Sequence, residues 1–379
     1  MNVVSAHYGT LMTGRPHEGV LFRQCHALAA SNDVTFLFGR TTGDPAELFR
    51  YYGREPLDAL HLVQLPILRR RRWPRLSWNA VFYRACLANV RTLAREDLAD
   101  LLYLREPALA EYLMTWLGPD CPPVVFEIHN LDHLATDSPD LALTGSERYV
   151  FSNADALVST TDSLAAIVTR LAHPSRPVLK LPHAADFVDV PAPQSISTVP
   201  RITYVGQLYP LQGVELVLEA LVRLPHCELH LVGGPPRDVQ RLRKLSAELG
   251  LSQRTVFHGH VPPASVSSFL AQADVLVLPA RNAGRMPFVA HTKLYEYLAA
   301  GRPIVAADLP SVAEELSDGV DALLVPPDDP QALADAIRRL LDDPPLRESL
   351  SQAARLKART FTWQVRTDRL VEVFRSVLP

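Results

Sequence analysis

The stretch HTKLYEYLAAGRPIVAAD, residues 291–308, predicts a helix, a turn and a strand in direct succession. Thr292 is a favourable N-cap, and the helical pattern that follows continues as far as Ala300. Gly301 then predicts the C-terminal end of the helix, and Pro303 precedes an apolar run typical of a buried strand. Helices that alternate with short strands of this kind build parallel sheets, so the segment predicts an α/β fold.

The same alternation continues on both sides of this segment. Short apolar runs typical of buried parallel strands occur at 34–38, 100–104, 124–128 and 156–160 in the first half, and at 201–206, 228–233, 255–259, 274–279 and 322–326 in the second. Amphipathic helical patterns lie between the runs, for example at 214–224. The chain therefore predicts two successive doubly wound domains, whose ligands would bind at the carboxyl ends of the strands.

A segment rich in proline and serine, VPAPQSISTVP at 190–200, separates the two series of strands and predicts a linker. A final helical pattern at 359–379 follows the last predicted strand after a long interval. From its pattern alone this helix could pack on the second domain, or it could cross back to the first domain.

The composition is that of an ordinary folded protein, with 47% hydrophobic and 21% charged residues in a chain of 379. The net charge of −3 gives no general argument for nucleic acid or an anionic membrane as a partner. The four cysteines have no paired spacing, which argues against a zinc site or a disulfide framework. Since no signal peptide or membrane span is recognisable, we expect a cytoplasmic protein.

The start of the helix at 291–308 has the properties of an anion site. Its first main-chain amides have no partner within the helix, and the helix dipole adds positive potential there. Lys293 lies in that first turn, where a cation is unfavourable unless an anion is bound. Glu296, one turn further on, could accept two hydroxyls of a ribose. Alternatively, this is an ordinary capped helix with a weak Lys293–Glu296 pair.

A second segment, VGQLYPLQGVE at 205–215, predicts the end of a buried strand, a glycine turn and the start of a helix. Such turns often receive a phosphate. The two positions where a cation would be expected, Gln207 and Gln212, are neutral amides. The pattern alone therefore leaves open whether a phosphorylated donor binds here.

Residues 290–306, AHTKLYEYLAAGRPIVA, resemble the pattern S-P-x-K-L-F-E-Y-M-A-A-G-x-P-I-V-A. That pattern belongs to one branch, with the motif KLFEY, of the retaining glycosyltransferases of the GT-B fold, family 4 (glycosyl transferases group 1). Further segments are similar to this family in the same order. Three resemble its donor domain: 203–221, 257–279 and 317–341. Three others resemble its acceptor domain more loosely, at 124–130, 158–165 and 181–187, and the terminal FTW…F pattern resembles its crossing helix.

The resemblance implies an α/β fold of the GT-B type, with two facing Rossmann-like domains and a C-terminal helix that crosses back to the first. Residues 1–190 would form the acceptor-side domain, 200–358 the donor domain and 359–379 the crossing helix. The implied activity is that of a hexosyltransferase or other glycosyltransferase (EC 2.4 type) without metal or cofactor. It would move a sugar from a UDP- or GDP-sugar to a glycan, a lipid-linked acceptor or a small molecule, with retention of anomeric configuration. Such enzymes serve the biosynthesis of cell-surface polysaccharides and glycoconjugates.

The resemblance also implies site residues. Glu296 would hold the donor ribose, the amides of Thr292, Lys293 and Leu294 the diphosphate, and Gly206 would let the backbone approach the phosphates. His129 falls where the family places a histidine near the transferred sugar.

The family has Arg or Gln at position 207, so Gln207 fits, whereas Gln212 stands where a lysine is common. A replacement cation could come from Lys293, Arg281 or Arg285, and we take His129, Lys293 and Arg285 as the catalytic candidates. The two arginines could equally belong to a solvated loop.

Two further departures keep a second hypothesis open. Phe288 stands where many members have a glutamate, and the loop TLMTGRPHEG at 10–19 lacks the family's Gly-Gly pair. Thr13, Gly14 and His17 are therefore only candidate cleft residues on the acceptor side. Together with Gln212, these departures favour a weakened or non-catalytic GT-B protein that binds a sugar nucleotide or a partner enzyme. The well-preserved 293–306 segment favours an active transferase.

The segment LPILRRRRWPRLSW, residues 65–78, combines basic and aromatic side chains in a way that suits an anionic membrane surface or a lipid-diphosphate acceptor. A solvated surface loop is the alternative, and nucleic acid fits less well because no other basic stripe supports it. Peripheral contact with the inner face of a membrane would use a short run of residues: Arg69, Arg70, Arg71, Arg72, Trp73 and Arg75.

Overall fold

A computed structural model describes residues 1–13, 16–67, 78–135, 142–187 and 196–378. The contacts divide the chain into two compact units. The first comprises Met1–Pro182 together with Trp363–Pro379, and the second comprises His183–Thr362. Each unit is built around its own parallel sheet. Among the described residues, none of the helices has the length and apolar character that a membrane crossing needs.

In the first unit, the described residues form a sheet in the order β3-β2-β1-β4-β5-β6-β7, with every neighbouring pair parallel. The order reverses between β1 and β4, which is where ligands bind in sheets of this kind. The elements are β1 (Asn2–Leu11), α1 (Pro16–Leu28), β2 (Asp33–Thr41), α2 (Leu48–Tyr52), β3 (Leu60–Gln64), α3 (Trp78–Arg95), β4 (Leu101–Leu104), α4 (Pro107–Leu117), β5 (Val124–Ile128), α5 (Gly145–Asn153), β6 (Ala156–Ser159), α6 (Asp162–Ala172) and β7 (Val178–Lys180).

The second unit has a parallel sheet in the order β10-β9-β8-β11-β12-β13 within the described part of the chain. Its elements are β8 (Arg201–Val205), α7 (Val214–Val222), β9 (Glu228–Val232), α8 (Pro236–Glu248), β10 (Thr255–Gly259), α9 (Val266–Ala271), β11 (Val275–Leu278), α10 (Thr292–Ala300), β12 (Ile304–Ala307), α11 (Pro310–Ala313), β13 (Leu323–Val325), α12 (Pro330–Asp342) and α13 (Pro344–Ala358). The predicted strands of this half all lie in the sheet.

The last helix, α14 (Trp363–Val377), belongs to the first unit. Its buried residues Leu370 and Phe374 pack in the same core as β1 and β4. The ring centroid of Phe374 lies 5.7 Å from that of Tyr103 on β4. The terminal helix therefore packs on the first domain, which is one of the two placements that its pattern left open.

The boundaries between the units differ from the predicted positions at 190 and 359. Residues before the predicted linker already pack on the second unit, since the Ala185 amide donates to the Phe361 carbonyl oxygen at 2.9 Å. The His183 and Phe361 rings both pack against Tyr295, at centroid distances of 6.0 and 5.1 Å. Residues 183–187 and 359–361 are thus held in the second unit by these contacts, while 188–195 lie outside the described residues.

Candidate functional site

The turn between β8 and α7 requires glycine at two positions. Gly206 has a φ of +137°, and a Cβ atom there would lie 2.9 Å from Cε of Lys293. Gly213 has a φ of +69°, and a Cβ there would lie 1.9 Å from the carbonyl oxygen of Pro279. The first glycine allows Lys293 to approach the backbone of the turn, and the second allows the turn to pack closely on the chain after β11. The predicted phosphate turn and the start of α10 are therefore in contact.

His291, not Thr292, is the N-cap of α10, which corrects the predicted cap by one residue. The His291 side chain makes no capping hydrogen bond, because its Nε2 donates to the carbonyl oxygen of Met286 at 3.1 Å. Burial, followed by the charge of Lys293, lowers the pKa of His291 to about 3, so that its imidazole is neutral. The cap position therefore adds no charge to the first turn.

Two main-chain amides at the start of α10 are available to an anion. The Leu294 amide, the third of the predicted set, donates to the His291 carbonyl oxygen at 2.9 Å. The amides of Thr292 and Lys293 have no acceptor among the residues that the structure describes. Together with the helix dipole, these two amides give the helix a positive end.

Lys293 points into the unit and is only 9% exposed. Its Nζ donates to the Tyr204 hydroxyl at 2.9 Å and to Oε1 of Gln212, and it lies 4.6 Å from the centroid of the Tyr204 ring. Within the described residues Lys293 forms no ion pair, so the alternative of a Lys293–Glu296 pair is not seen. Burial lowers the pKa of Lys293 to about 7, and Glu296 opposes this effect.

Gln212 is buried at the centre of this group. Its Nε2 donates to the Tyr209 hydroxyl at 2.7 Å, while its Oε1 accepts from Lys293 and lies 2.9 Å from the Tyr204 hydroxyl. The Tyr204 hydroxyl also lies 2.6 Å from the carbonyl oxygen of Gln207 and can donate to it. The residue found where the family commonly has a lysine thus holds a lysine that comes from α10. We call Lys293, Gln212, Tyr204 and Tyr209 the Lys293 cluster.

The two candidate arginines differ in their contacts. Nη2 of Arg285 lies 3.3 Å from the Tyr209 hydroxyl, so Arg285 borders the Lys293 cluster. Nη1 of Arg281 lies 2.9 Å from Oδ1 of Asp328 in a partly exposed ion pair. Arg281 therefore already has a counter-charge, whereas Arg285 reaches the cluster through a neutral hydroxyl. Glu296 is partly buried one turn along α10.

The first unit contains a buried ion cluster that the sequence did not indicate. Glu127 on β5 is fully buried, and its two carboxylate oxygens lie 3.1 Å from Nη2 of Arg105 and 2.6 Å from Nη2 of Arg366. The Tyr103 hydroxyl also donates to Glu127. Arg366 on α14 donates further to the Pro182 carbonyl oxygen at 2.8 Å. This Glu127 cluster joins β4, β5 and the terminal helix.

His129 follows β5 directly, next to this cluster. Burial lowers its pKa to about 4, and the nearby charge of Arg105 acts in the same direction. Its Nδ1 is buried and has no hydrogen-bond partner within the described residues. Nδ1 of His7 on β1 lies 3.5 Å from Oε1 of Glu106, which follows β4. Polar groups thus gather near the point where the strand order of the first sheet reverses.

The remaining acceptor-side candidates have a different environment or lie outside the described residues. The Thr13 hydroxyl donates to the carboxylate of the buried Glu18 at 2.6 Å, which ties the loop to the first turn of α1. Gly14 is not among the described residues, and only the backbone of His17 is described. The whole basic and aromatic run of 69–75 also lies outside them. The part of the chain that is described has no group of three or more His, Cys, Asp or Glu residues that could hold a metal ion.

Comparison with known protein families identifies the segment that contains the Lys293 cluster. Residues 199–343 match the family described as Glycosyl transferases group 1. This segment is therefore similar to the group 1 glycosyl transferases. Among curated relatives, the α-D-kanosaminyltransferase of Streptomyces kanamyceticus is 28% identical over 280 residues, which cover 67% of this chain and 71% of that protein. The D-inositol 3-phosphate glycosyltransferase of Mycolicibacterium paratuberculosis is 29% identical over 290 residues, which cover 69% and 64%.

Solved structures resemble the whole chain in fold. Sucrose-phosphate synthase from Thermosynechococcus elongatus matches with a TM-score of 0.79 at 19% identity, and the match covers 99% of this chain and 98% of the synthase chain. Anabaena Alr3699/HepE, solved in complex with UDP-glucose, has a TM-score of 0.74 at 17% identity and covers 99% of each chain. The predicted α/β fold with two Rossmann-like domains of the GT-B type is confirmed.

Proposed function

We propose that this protein is a retaining glycosyltransferase that takes a sugar from a nucleotide diphosphate donor bound to the second unit. The observation that carries the proposal is Lys293, a buried ammonium at the positive end of a helix that has no carboxylate partner among the described residues. The ammonium and the positive end of the helix dipole are unfavourable together at a buried position when no anion is bound. A diphosphate would satisfy both, since the amides of Thr292 and Lys293 and the ammonium would all donate to its oxygens.

The chemistry of transfer assigns a role to each group. The bond between the anomeric carbon and the phosphate oxygen breaks, and its electron pair remains on the nucleoside diphosphate. The acceptor hydroxyl forms the new bond and loses its proton, which the leaving phosphate can take. Charge on the leaving group must be stabilised as it develops, which we assign to Lys293, with Arg285 acting beside it. Because protein cations perform this task, the proposal includes no metal ion and no cofactor.

In this proposal the first unit binds the acceptor, and His129 lies near the transferred sugar. A histidine whose pKa is about 4 is neutral at physiological pH. It can therefore donate or accept a hydrogen bond to a sugar hydroxyl, but it contributes no charge to the leaving group. Its Nδ1, which has no partner among the described residues, is a group that such a hydroxyl could satisfy.

UDP-sugars are the first donors to test, with GDP-sugars next. The support is that the similar structure of Alr3699/HepE was solved with UDP-glucose. Among the similar structures is also WaaG, described as involved in lipopolysaccharide biosynthesis, and the curated relatives include the kanosaminyltransferase. A role in polysaccharide or glycoconjugate biosynthesis, acting in the cytoplasm on a glycan, a lipid-linked acceptor or a small molecule, is therefore part of the proposal.

The deciding experiment measures binding and turnover with the full chain. We expect UDP, GDP or ADP to bind in isothermal titration calorimetry, and the matching sugar nucleotide to be consumed when acceptor pools are added. If none of the three diphosphates binds at millimolar concentration, the proposal fails. Donor binding without turnover would instead favour the non-catalytic alternative, for which the pairing of Arg281 with Asp328 and the neutral Gln212 are the supporting observations.

Contact with the inner face of a membrane through Arg69, Arg70, Arg71, Arg72, Trp73 and Arg75 remains a separate proposal. Its support is the basic and aromatic composition of that segment. We expect the protein to float with vesicles that contain anionic lipids and to stay in solution with neutral ones. Retention in solution with both vesicle types would reject the membrane contact without affecting the donor site.

We predict that Glu296→Ala weakens binding of the nucleoside part of the donor and leaves diphosphate binding intact. A carboxylate that accepts two ribose hydroxyls would contribute about 1.5–3 kcal/mol, which corresponds to about a 10–100-fold loss of UDP affinity. Inorganic pyrophosphate, which lacks the ribose, should bind equally to both proteins. The same loss for UDP and pyrophosphate would place Glu296 at the phosphates instead.

We also predict that nucleotide affinity falls as the pH rises above about 7. The pKa of Lys293 is about 7 in the nucleotide-free protein, and a bound diphosphate would raise it, so binding takes up a proton above this pH. Glu296 favours the charged form, and the neutral His291 does not titrate in this range. The expected slope is up to about tenfold per pH unit.

Calorimetric titrations of UDP between pH 7 and 9 test this dependence. A terminal phosphate titrates near pH 6, so the charge of the ligand changes little over this interval. Lys293→Met should remove the slope. An affinity that stays constant across the interval in the wild-type protein would contradict the assignment of Lys293 to the diphosphate.

A further inference from the structure

We infer that Gln212 and Tyr204 are positioning residues that hold the Lys293 ammonium at the donor site, so that Gln212 is a working part of the site and not the remnant of a lost cation. The inference rests on the proposed function and deepens it. The similarity to the family suggests that a neutral residue at position 212 weakens the site. The contacts of Gln212 indicate the opposite.

The orientation of the Gln212 amide is fixed from one side. Its Nε2 donates to the Tyr209 hydroxyl at 2.7 Å and lies 3.8 Å from the sulfur of Met286. Because the nitrogen is engaged there, the oxygen must face the opposite direction, toward Lys293 and Tyr204. The amide therefore presents only its acceptor end to the ammonium.

Tyr204 holds the ammonium from a second direction. Its side chain is fully buried on β8, and its hydroxyl accepts from Nζ of Lys293 at 2.9 Å. The same ammonium lies 4.6 Å from the centroid of the Tyr204 ring, a distance suitable for a cation–π contact. Gly206 leaves space for the end of the lysine, since a Cβ at that position would lie 2.9 Å from Cε. The ammonium thus has two neutral oxygen acceptors and one aromatic face.

Neutral acceptors at this position have a particular consequence for an anionic ligand. They stabilise the ammonium by hydrogen bonding, but they do not neutralise it. A carboxylate at 212 would form a buried ion pair with Lys293 and compete with the diphosphate for its charge. A lysine at 212 would place a second ammonium where Oε1 now accepts from Nζ, and two buried like charges at this separation oppose each other. Glutamine avoids both effects.

The test measures UDP, GDP and ADP affinity by calorimetry on the full chain. We expect Gln212→Lys to lower the affinity of the nucleotide that binds by tenfold or more, and Gln212→Glu to lower it by a similar factor. Gln240→Lys, which adds the same charge at an exposed position of α8, should bind as the wild-type protein does. Thermal unfolding followed by circular dichroism monitors the fold of each variant.

A charge swap separates positioning from simple damage. In Lys293→Gln combined with Gln212→Lys, one ammonium and one amide again share the same buried space. We expect this double variant to bind nucleotide at least tenfold more tightly than Gln212→Lys alone, whereas damage to the fold would add up over the two changes. Tighter binding by Gln212→Lys than by the wild-type protein, or no recovery in the swap, would overturn the inference. If the wild-type protein binds none of the three nucleotides, the proposed function itself has failed.

Discussion

Replacing Lys293 with methionine is expected to lower the rate of sugar transfer by about 10²–10³-fold while stabilising the nucleotide-free protein. The loss of activity follows if the buried ammonium is the cation that meets the leaving diphosphate. The gain in stability follows because the folded protein holds this group in surroundings that lower its pKa to about 7. Methionine has a similar length and carries no charge to be desolvated.

The gain should depend on pH in a defined direction. Between about pH 7 and the ordinary lysine value of 10.5, the unfolded chain binds more protons at this residue than the folded protein. Wild-type stability therefore rises with pH in this interval, and the advantage of the methionine variant shrinks. At pH 7 we expect a net gain on the order of 1–3 kcal/mol, because the hydrogen bonds to Tyr204 and Gln212 are lost at the same time.

Urea unfolding at pH 7 and pH 9.5 measures the stability, and a donor-consumption assay measures the activity. Lys244→Met is a matched control, since Lys244 is 81% exposed and lies 3.8 Å from Glu248 on the surface of α8. We expect this control to leave both quantities nearly unchanged. A Lys293→Met variant that is less stable at pH 7 yet fully active would contradict both the burial cost and the proposed role of the ammonium.

The second large effect concerns the Glu127 cluster, where Glu127→Gln is expected to destabilise the protein by about 3–5 kcal/mol. The variant retains the shape of the side chain but removes its negative charge. Arg105 and Arg366 are 4% and 3% exposed and would then face each other without a counter-charge. Two desolvated guanidinium groups at this separation repel each other, and neither can lose its proton at ordinary pH.

This expectation is tested by measuring the free energy of chemical unfolding for Glu127→Gln and for a control variant, Glu372→Gln. Glu372 lies on the exposed face of α14, so the control makes the same chemical change on the helix that contributes Arg366. The control should change the unfolding free energy by no more than about 0.5 kcal/mol. Since the cluster joins the terminal helix to the first sheet, we expect the first unit to unfold before the second in the Glu127 variant. Equal stability of the two variants would show that the arginines are compensated in another way.

The sequence predicted the elements that local pattern determines. The strand from Ile304 to Ala307 and the end of α10 at Gly301 follow directly from apolar runs and from the conformational freedom of glycine. The start of α10 was one residue off, because His291 takes the cap position while its ring donates to Met286 instead of capping the helix. Histidine is not one of the preferred N-cap residues, so the local sequence does not indicate that the helix is capped at position 291.

The parts that could not be predicted depend on residues distant in the chain. Glu127 meets Arg366 across a separation of 239 positions, and Gln212 meets Lys293 across 81. The apolar run VVFEI contains Glu127, but the local pattern gives no indication of a partner so far along the chain. Likewise, a lysine in the first turn of a helix predicted an anion but gave no indication that its side chain would be buried against a tyrosine.

The position of α14 has a consequence for the order in which the protein can fold during synthesis. Domains usually fold as they leave the ribosome, with the N-terminal domain first. Here the first unit obtains Arg366, Leu370 and Phe374 from a helix that follows the whole second unit in the chain. Its core and the charge balance around Glu127 therefore cannot be completed until the second unit has already emerged. The usual order of folding is therefore reversed: the second unit can fold first, and the first unit can be completed only after α14 has been synthesised.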